Sequence, residues 1–201
     1  MNLSGILKSF ILVTLLTGNF DSLAQLYSEA GISVPDSNLK NLAGTGLTLG
    51  LNCEYRLSDK FKARVSSAFV YFSTKHYGAL GIPKGRPLTL DYKTSMLPVQ
   101  LGIKFFPFSK FLGGKLFISG RLGIQAIFFE SNSIGYLESV LYQSKELDFS
   151  YVPSIGFDFK NVCFEYEQQF IASRGDEFLK SVTYTSFKLS VKIFRIGSQT
   201  P

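Results

Sequence analysis

The clearest regularity along the chain is an alternation of apolar and polar residues from Leu47 to Tyr71. The apolar positions of the first half are Leu47, Leu49, Leu51, Cys53, Tyr55 and Leu57. After the polar stretch 58–60 the same face continues with Phe61, Ala63, Val65, Ser67, Phe69 and Tyr71. A period of two predicts β-strands, and a tight polar turn between two such runs predicts an antiparallel hairpin. Its natural register places Glu54 opposite Arg64, as an expected cross-strand ion pair.

The size of the side chains indicates which face lies outside. The apolar rows carry Leu, Phe, Tyr and Ile, whereas the polar rows carry Gly, Ser, Thr and Asn between their charged residues. The interior of an eight-stranded barrel is only just wide enough for its own side chains. Because the bulky rows would overfill that interior and the small polar rows fit it, we expect the apolar face to point outward into lipid.

The same alternation recurs in other segments of the chain. Together the predicted strands are Leu26–Val34, Leu47–Leu57, Phe61–Tyr71, Leu97–Phe105, Leu116–Phe128, Phe149–Phe159, Val162–Phe170 and Thr185–Ile193. The long connections are 35–45, 73–94, 130–147 and 172–181, and shorter ones lie at 58–60, 107–114 and 160–161. Alternating long loops and short turns are typical of membrane barrels. The prediction is therefore all-β, an eight-stranded antiparallel up-and-down transmembrane β-barrel.

Two local features refine this prediction. Pro98 cannot donate a hydrogen bond to a neighbouring strand, which favours a strand end or a bulge at that position. Leu88, Leu90 and Tyr92 alternate briefly within the connection 73–94, which leaves room for extended structure beyond the membrane. The sequence contains no internal repeat beyond the hairpin itself, so we expect a single domain.

The amino terminus has the pattern of a secretory signal peptide. Lys8 supplies a positive charge, residues 10–16 form an apolar core, and Ser22-Leu23-Ala24 resembles a small-residue cleavage site. The apolar core is too short to span a bilayer as a helix, which needs about 20 residues. We predict a signal peptide over 1–24, a barrel domain over 25–195 and a short tail over 196–201.

Composition and cysteine usage agree with an exported β-protein. The chain has 20 Phe, 10 Tyr and 18 Gly but no Trp, and its 18% charged residues suit a protein with one surface in lipid. Export permits disulfides. The alternation nevertheless places Cys53 on the apolar face and Cys163 on the polar face, on opposite sides of the barrel wall. We expect two free thiols, with a disulfide as the less favoured alternative.

The polar face carries many charged residues, which would lie in the lumen. Arg or Lys facing lipid at the bilayer midplane would cost about 2–4 kcal/mol, so these residues are expected to point inward. The predicted lumen ion network consists of Glu29, Glu54, Arg64, Lys104, Arg121, Glu165, Glu167, Lys188 and Lys192. A structural network that fills the lumen is the favoured interpretation, and a narrow polar conduit is the alternative.

Candidate chemistry outside the lumen is sparse. The connection 73–94 carries four basic residues, Lys75, Lys84, Arg86 and Lys93, against Asp91 alone. They are candidates for contact with the phosphates of lipopolysaccharide or with an anionic external partner, and a solvated loop is the favoured interpretation. His76 is the one histidine and the sole plausible general base. No metal-ligand spacing or phosphate-binding glycine loop is present in the sequence, and we expect no cofactor and no nucleic-acid partner.

Two strand sequences resemble those of known proteins. They are Leu97-Pro98-Val99-Gln100-Leu101-Gly102-Ile103-Lys104-Phe105-Phe106 and Lys188-Leu189-Ser190-Val191-Lys192-Ile193-Phe194. With the signal peptide and four hairpins, the chain resembles the small Gram-negative outer-membrane β-barrel proteins of the OmpA/OmpX type, in the porin family. The resemblance implies a monomer in the cell outer membrane, contact with outer-membrane lipid and lipopolysaccharide, and insertion by the barrel-assembly machinery.

The resemblance also defines the functional alternatives. The favoured one is a structural or surface-interacting protein acting through four extracellular loops, without a catalytic site. An outer-membrane lipid A-modifying enzyme (acylase or deacylase) using His76 and a narrow porin-like conduit are the alternatives within this group. A secreted soluble barrel binding an apolar ligand is the alternative outside it.

Overall fold

A computed structural model describes residues 24–37, 39–77, 89–108, 113–134, 139–172 and 182–196. Its elements are β1 (Ala24–Ser37), α1 (Leu39–Leu42), β2 (Ala43–Arg56), β3 (Phe61–Tyr77), β4 (Thr89–Phe105), β5 (Lys115–Ile134), β6 (Ser139–Phe159), β7 (Val162–Ala172) and β8 (Val182–Ile196). Over these ranges no helix is both long enough and apolar enough to cross a membrane. The predicted signal peptide and tail lie outside the described residues, except for Ala24 and Ile196, which begin β1 and end β8.

The eight strands close into one barrel in sequence order. Each strand pairs antiparallel with its chain neighbour, and β8 closes the ring on β1 with Ala30 opposite Leu189. The β2–β3 register places Glu54 opposite Arg64, as predicted. The predicted eight-stranded antiparallel barrel is therefore confirmed.

The two faces of the wall are divided as the side-chain sizes predict. Leu49 and Leu189 on the outer face are 62% and 42% exposed, whereas Arg64 and Arg121 on the inner face are each 1% exposed. A soluble barrel that buries its apolar residues would show the opposite arrangement. The outer surface is apolar and the lumen is polar, which is the arrangement that a bilayer requires.

The ends of the barrel differ. We call the end that carries the turns 57–60 and 160–161 the turn end, and the opposite end, where α1 lies, the loop end. At the turn end Lys160 adopts a φ of 53°, so a non-glycine residue takes the left-handed conformation in the tight β6–β7 turn. The backbone amide of Leu57 donates to the carbonyl oxygen of Phe61 and closes the β2–β3 turn.

The strands extend further at the loop end than the sequence predicts. The predicted connection 35–45 contains the end of β1, the helix α1 and the start of β2. The connection 130–147 is wrong as a long loop, because β5 and β6 continue through most of it. In 73–94 the expected extended structure is present, since β3 continues to Tyr77 and β4 begins at Thr89, opposite Ile134. Outside the bilayer an outward polar residue is hydrated, so the apolar alternation stops while the backbone pairing continues. The predicted loop 172–181 lies outside the described residues after Ala172.

Two prolines lie inside strands rather than at strand ends or bulges. The β3–β4 pairing passes from Ser67 opposite Val99 to Val70 opposite Met96 with the register unchanged, so the two pairs around Pro98 are missing. Pro153 interrupts the β6–β7 pairing in the same way. Each proline remains paired on its other side with β5. The bulge or strand end predicted at Pro98 is thus wrong, because one absent N–H is tolerated without a change of register.

Candidate functional site

The lumen contains a closed ring of alternating charges, which we call the six-charge ring. Its members come from five strands and are Glu29, Arg64, Glu165, Arg121, Glu167 and Lys188. Arg64 bridges Glu29 at 3.3 Å and Glu165 at 2.5 Å. Arg121 then joins Glu165, at 3.5 Å, to Glu167. Lys188 closes the ring, with its Nζ 2.8 Å from Glu167 and 3.0 Å from Glu29.

A second, smaller ring lies nearer the turn end, and we call it the four-charge ring. Glu54 accepts from Lys62 at 2.8 Å and pairs with Lys104 at 2.5 Å. Asp158 pairs with the same two lysines, at 3.4 Å and 3.3 Å. The alternation also places Lys62 and Asp158 on the inner face, although neither is among the predicted network residues.

Both rings are electrically neutral, and most of their members are buried. Lys62 and Asp158 are the two half-buried members, and the other eight are buried. Neutral side chains add hydrogen bonds to the carboxylates. Asn52 Nδ2 donates to Glu29 Oε2 at 3.1 Å, and Ser154 Oγ donates to Glu165 Oε1 at 2.7 Å. Removal of one partner from a buried ion pair leaves an uncompensated charge. The rings therefore stabilise the lumen only while they are complete.

The predicted ion pair between Glu54 and Arg64 does not form. Glu54 pairs with Lys62 and Lys104, whereas Arg64 pairs with Glu29 and Glu165. Residues that are directly opposite on neighbouring strands stand side by side on the wall, but long side chains in a narrow lumen reach strands on its far side. The pairing of charges therefore follows the width of the lumen rather than the register.

Lys192 is not part of either ring. It lies near the turn end, half-buried, with its Nζ 5.8 Å from the centre of the Tyr27 ring. The four-charge ring already satisfies both of its carboxylates with Lys62 and Lys104, so Lys192 contacts an aromatic face instead.

Uncharged polar side chains occupy the lumen beyond the six-charge ring. Ser33 Oγ lies 2.5 Å from Thr48 Oγ1 and 2.7 Å from Ser186 Oγ, and these hydroxyls link β1, β2 and β8. Gln125 Nε2 contacts Met96 Sδ at 2.7 Å, and its Oε1 accepts from Gln169. The two charge rings thus give way toward the loop end to a layer of hydroxyls and amides, which also contains the buried carboxylate of Asp148 opposite Gln125.

An apolar cluster closes the loop end, and we call it the apolar plug. It consists of Leu39, Ala43, Val70, Phe72, Met96, Ile127, Ile171, Val182 and Tyr184. The Phe72 and Tyr184 rings pack edge to face, with centroids 5.4 Å apart, and Leu39 brings α1 against the cluster. The period-two pattern does not predict this plug. A signal for it is the run Phe69-Val70-Tyr71-Phe72, in which both faces of the strand are apolar.

A search of family models and a search of curated proteins give no match to this chain. Solved structures do match. The structure of Ail, the attachment invasion locus protein of Yersinia pestis, is 13% identical, with 88% of this chain and all of that chain covered at a TM-score of 0.54. The chain has the fold of the small outer-membrane β-barrel proteins. A major outer membrane protein from Thermus thermophilus is 11% identical, covering 85% and 99% of the two chains at a TM-score of 0.50.

A second structure of Ail bears on partners of that protein. It was determined in complex with the heparin analogue sucrose octasulfate, and it is 12% identical to this barrel over 88% of the chain, at a TM-score of 0.50. The structural similarity shows a common fold alone, and at identities of 11–13% the residues of any binding site have to be argued from this chain.

The candidate residues outside the lumen are only partly described. Lys93 is exposed and lies opposite Glu130 in the β4–β5 pairing. The backbone of Lys75 and His76 belongs to β3, where His76 is opposite Asp91, but the side chains of these residues lie outside the described part, as do Lys84 and Arg86. Within the described part, no group of three His, Cys, Asp or Glu residues could hold a metal ion. Cys53 and Cys163 are free thiols, as predicted.

Proposed function

We propose that this chain is an integral outer-membrane protein with a closed lumen, which acts structurally or through its loops at the cell surface. The observation that carries the proposal is the division of the wall, with leucine, isoleucine and phenylalanine outward and both charge rings inward. Only a lipid environment stabilises such an outer face, because water would meet a continuous apolar surface. Export would use the predicted signal peptide over 1–24, and insertion would use the barrel-assembly machinery.

Three layers of side chains support a closed lumen. The four-charge ring, the six-charge ring and the apolar plug follow one another from the turn end to the loop end. An ion entering from either end would have to separate buried ion pairs or displace packed apolar side chains. We therefore favour a mechanical role for the lumen, in which it stiffens the wall that holds the loops, over a porin-like conduit.

The loops are the part of the protein that we propose contacts partners. Short turns of such barrels face the periplasm and long connections face the outside, which would place the loop end at the cell surface. In this orientation we expect Lys75, Lys84, Arg86 and Lys93, which follow one another in one connection of the chain, to contact the phosphates of lipopolysaccharide. We propose a monomer, and no residue in the described ranges favours catalysis over this interpretation.

The decisive experiment is expression of the full chain followed by membrane fractionation and gel electrophoresis with and without boiling. A folded membrane barrel should sediment with the outer membrane, require detergent for extraction and change its mobility on heating. Planar-bilayer recordings of the purified protein should show no stable channels. Recovery of the exported protein in the soluble fraction without detergent would contradict the membrane proposal, and stable channels would contradict the closed lumen alone.

A further inference from the structure

A belt of cations surrounds the turn end of the barrel, and we call it the basic collar. Its described members are Lys60, Lys115, Lys160, Lys192 and Arg195. They belong to the β2–β3 turn, the start of β5, the β6–β7 turn and the end of β8, so the collar extends around the circumference. Lys60, Lys115, Lys160 and Arg195 are exposed. Lys192 is half-buried on the inner face at the mouth of the lumen, so it adds to the charge of this end and not to its outer surface. Asp59, the acidic residue of the β2–β3 turn, is already paired with Arg56.

The collar carries the net charge of the barrel. The two lumen rings contain five cations and five carboxylates, which cancel. The stretches 35–45, 73–95, 130–148 and 172–181, which in the chain connect strands whose described ends are at the loop end, contain eight basic and eight acidic residues. The formal net charge of +6 is therefore accounted for by the collar together with Lys110, which belongs to the β4–β5 connection outside the described residues.

Aromatic rings lie directly beside the collar. The Lys160 Nζ is 5.5 Å from the centre of the Phe159 ring on the outer face. The Lys115 Nζ is 5.8 Å from the centre of Phe106, a buried ring of the inner face, so Lys115 lies at the rim of the lumen. The rings of Phe61 and Phe105 stack at 4.9 Å on the same end of the wall. Aromatic girdles mark the boundary of the hydrocarbon, and long cationic side chains extend from it to the level of the headgroups. The collar thus stands at the depth at which lipid phosphates lie.

We propose that the basic collar binds the phosphate groups of anionic phospholipids in the leaflet that faces the turn end. The inference rests on the proposed membrane location. Its chemistry is that of several cations held close to an anionic surface, where each makes a favourable contribution that falls off within a Debye length. The neutral loop end has no comparable excess, so the strongest lipid contact lies at the end opposite to the predicted lipopolysaccharide contacts.

A matched pair of triple variants tests this location. The turn-end variant combines Lys60→Gln, Lys115→Gln and Arg195→Gln, and leaves Lys160 in place because of its left-handed backbone. The loop-end variant combines Lys40→Gln, Lys93→Gln and Lys145→Gln, which are also exposed. Each full-length protein is inserted into nanodiscs of equal phosphatidylglycerol and phosphatidylcholine. Native mass spectrometry after detergent extraction then gives the ratio of the two lipids that remain bound.

The wild-type barrel and the loop-end variant should retain phosphatidylglycerol in preference to phosphatidylcholine. In the turn-end variant the ratio of bound phosphatidylglycerol to bound phosphatidylcholine should be about tenfold lower than in the wild type. Equal retention of both lipids by the wild type would overturn the proposal. So would an equal loss in both variants, since it would show a non-specific charge effect. Heat-modifiable mobility is measured on the same samples. If the wild type shows no heat-modifiable mobility, the membrane proposal fails. If the wild type shows it but has no lipid preference, the collar proposal alone fails.

Discussion

Arg64 of β3 and Glu165 of β7 form an ion pair of 2.5 Å across the full width of the barrel, between strands that stand opposite one another in the ring of eight. Both side chains are buried, and the strands β3 and β7 are not neighbours in the barrel. The contact therefore joins two strands that share no backbone hydrogen bonds. The charged side chains of the lumen therefore neutralise one another and also hold opposite strands of the barrel together.

Replacement of Arg64 by methionine should destabilise the barrel strongly. Arg64→Met leaves Glu29 and Glu165 without one of their cations in a buried site, and breaking such a pair costs about 3–5 kcal/mol. The change in unfolding free energy is measured by urea unfolding in lipid vesicles, with the folded fraction read from heat-modifiable mobility on gels. The matched control is Arg56→Met, which breaks the exposed pair with Asp59 and should cost about 1 kcal/mol or less. An equal loss in both variants would contradict the bracing role.

The same two residues allow a double-mutant cycle. Glu165→Gln removes the other partner, and the effects of Arg64→Met and Glu165→Gln should be less than additive because each already breaks the same contact. Additive effects within about 0.5 kcal/mol would mean that the 2.5 Å contact makes no coupled contribution.

The sequence predicts the outer face of the barrel well and its inner contacts poorly. Leu49 and Ile103 point outward because a period-two pattern and side-chain size determine the face. Which charges pair cannot be predicted in the same way, because Arg64 reaches across the lumen rather than to Glu54. The apolar plug is hard to predict for a related reason: Phe72 and Tyr184 lie on the polar face of their strands, and their packing depends on the closure of the barrel.

Strand ends at the loop end show a further limit of sequence patterns. The pairing of Lys93 with Glu130 and of Thr89 with Ile134 continues the β4–β5 ladder beyond the predicted strands. The apolar period of such strand ends is short or missing, as in the brief alternation of Leu90 and Tyr92, so the composition of these segments predicts loops.

Two glycines of β5 should respond differently to alanine. A Cβ at Gly123 would meet the carbonyl of Val99 and lie 2.7 Å from the Gln100 Cα, both of them backbone of β4, whereas a Cβ at Gly120 would have nothing within 4 Å. Gly123→Ala should lower the unfolding free energy by about 1–3 kcal/mol through overpacking, and Gly120→Ala should be close to neutral. Urea unfolding in vesicles compares them, and the prediction fails if Gly120→Ala is the more damaging.

The two native thiols report on access to the lumen. Cys163 faces the lumen beside Phe117 and Lys104, with its Sγ 3.7 Å from the lysine Nζ, and Cys53 lies on the lipid face. In vesicles, neither should react with a charged, membrane-impermeant methanethiosulfonate until the barrel is unfolded. Ser58→Cys, in the exposed β2–β3 turn, is the positive control. Rapid labelling of Cys163 in the folded protein would show an open path from the turn end.

Replacement of Pro153 should add a hydrogen bond to the wall. Because Pro153 remains paired with Gly120 of β5, its missing N–H is the one directed at the carbonyl of Gln168 in β7, where the pairing is interrupted. Water is absent at this depth of a bilayer, so an unpaired carbonyl is costly. Pro153→Ala should therefore show a slowly exchanging amide at position 153 and a gain of about 0.5–1.5 kcal/mol in unfolding free energy.

The second proline separates this effect from packing. Pro98 interrupts the β3–β4 pairing in the same way, but its ring is buried on the lumen side, whereas that of Pro153 is exposed on the outer face. Pro98→Ala should gain a protected amide, yet lose lumen packing, so its unfolding free energy should rise less than that of Pro153→Ala. Hydrogen exchange on both variants reports the new amides. Fast exchange at position 153 would mean that the gap in the ladder has a cause other than the proline.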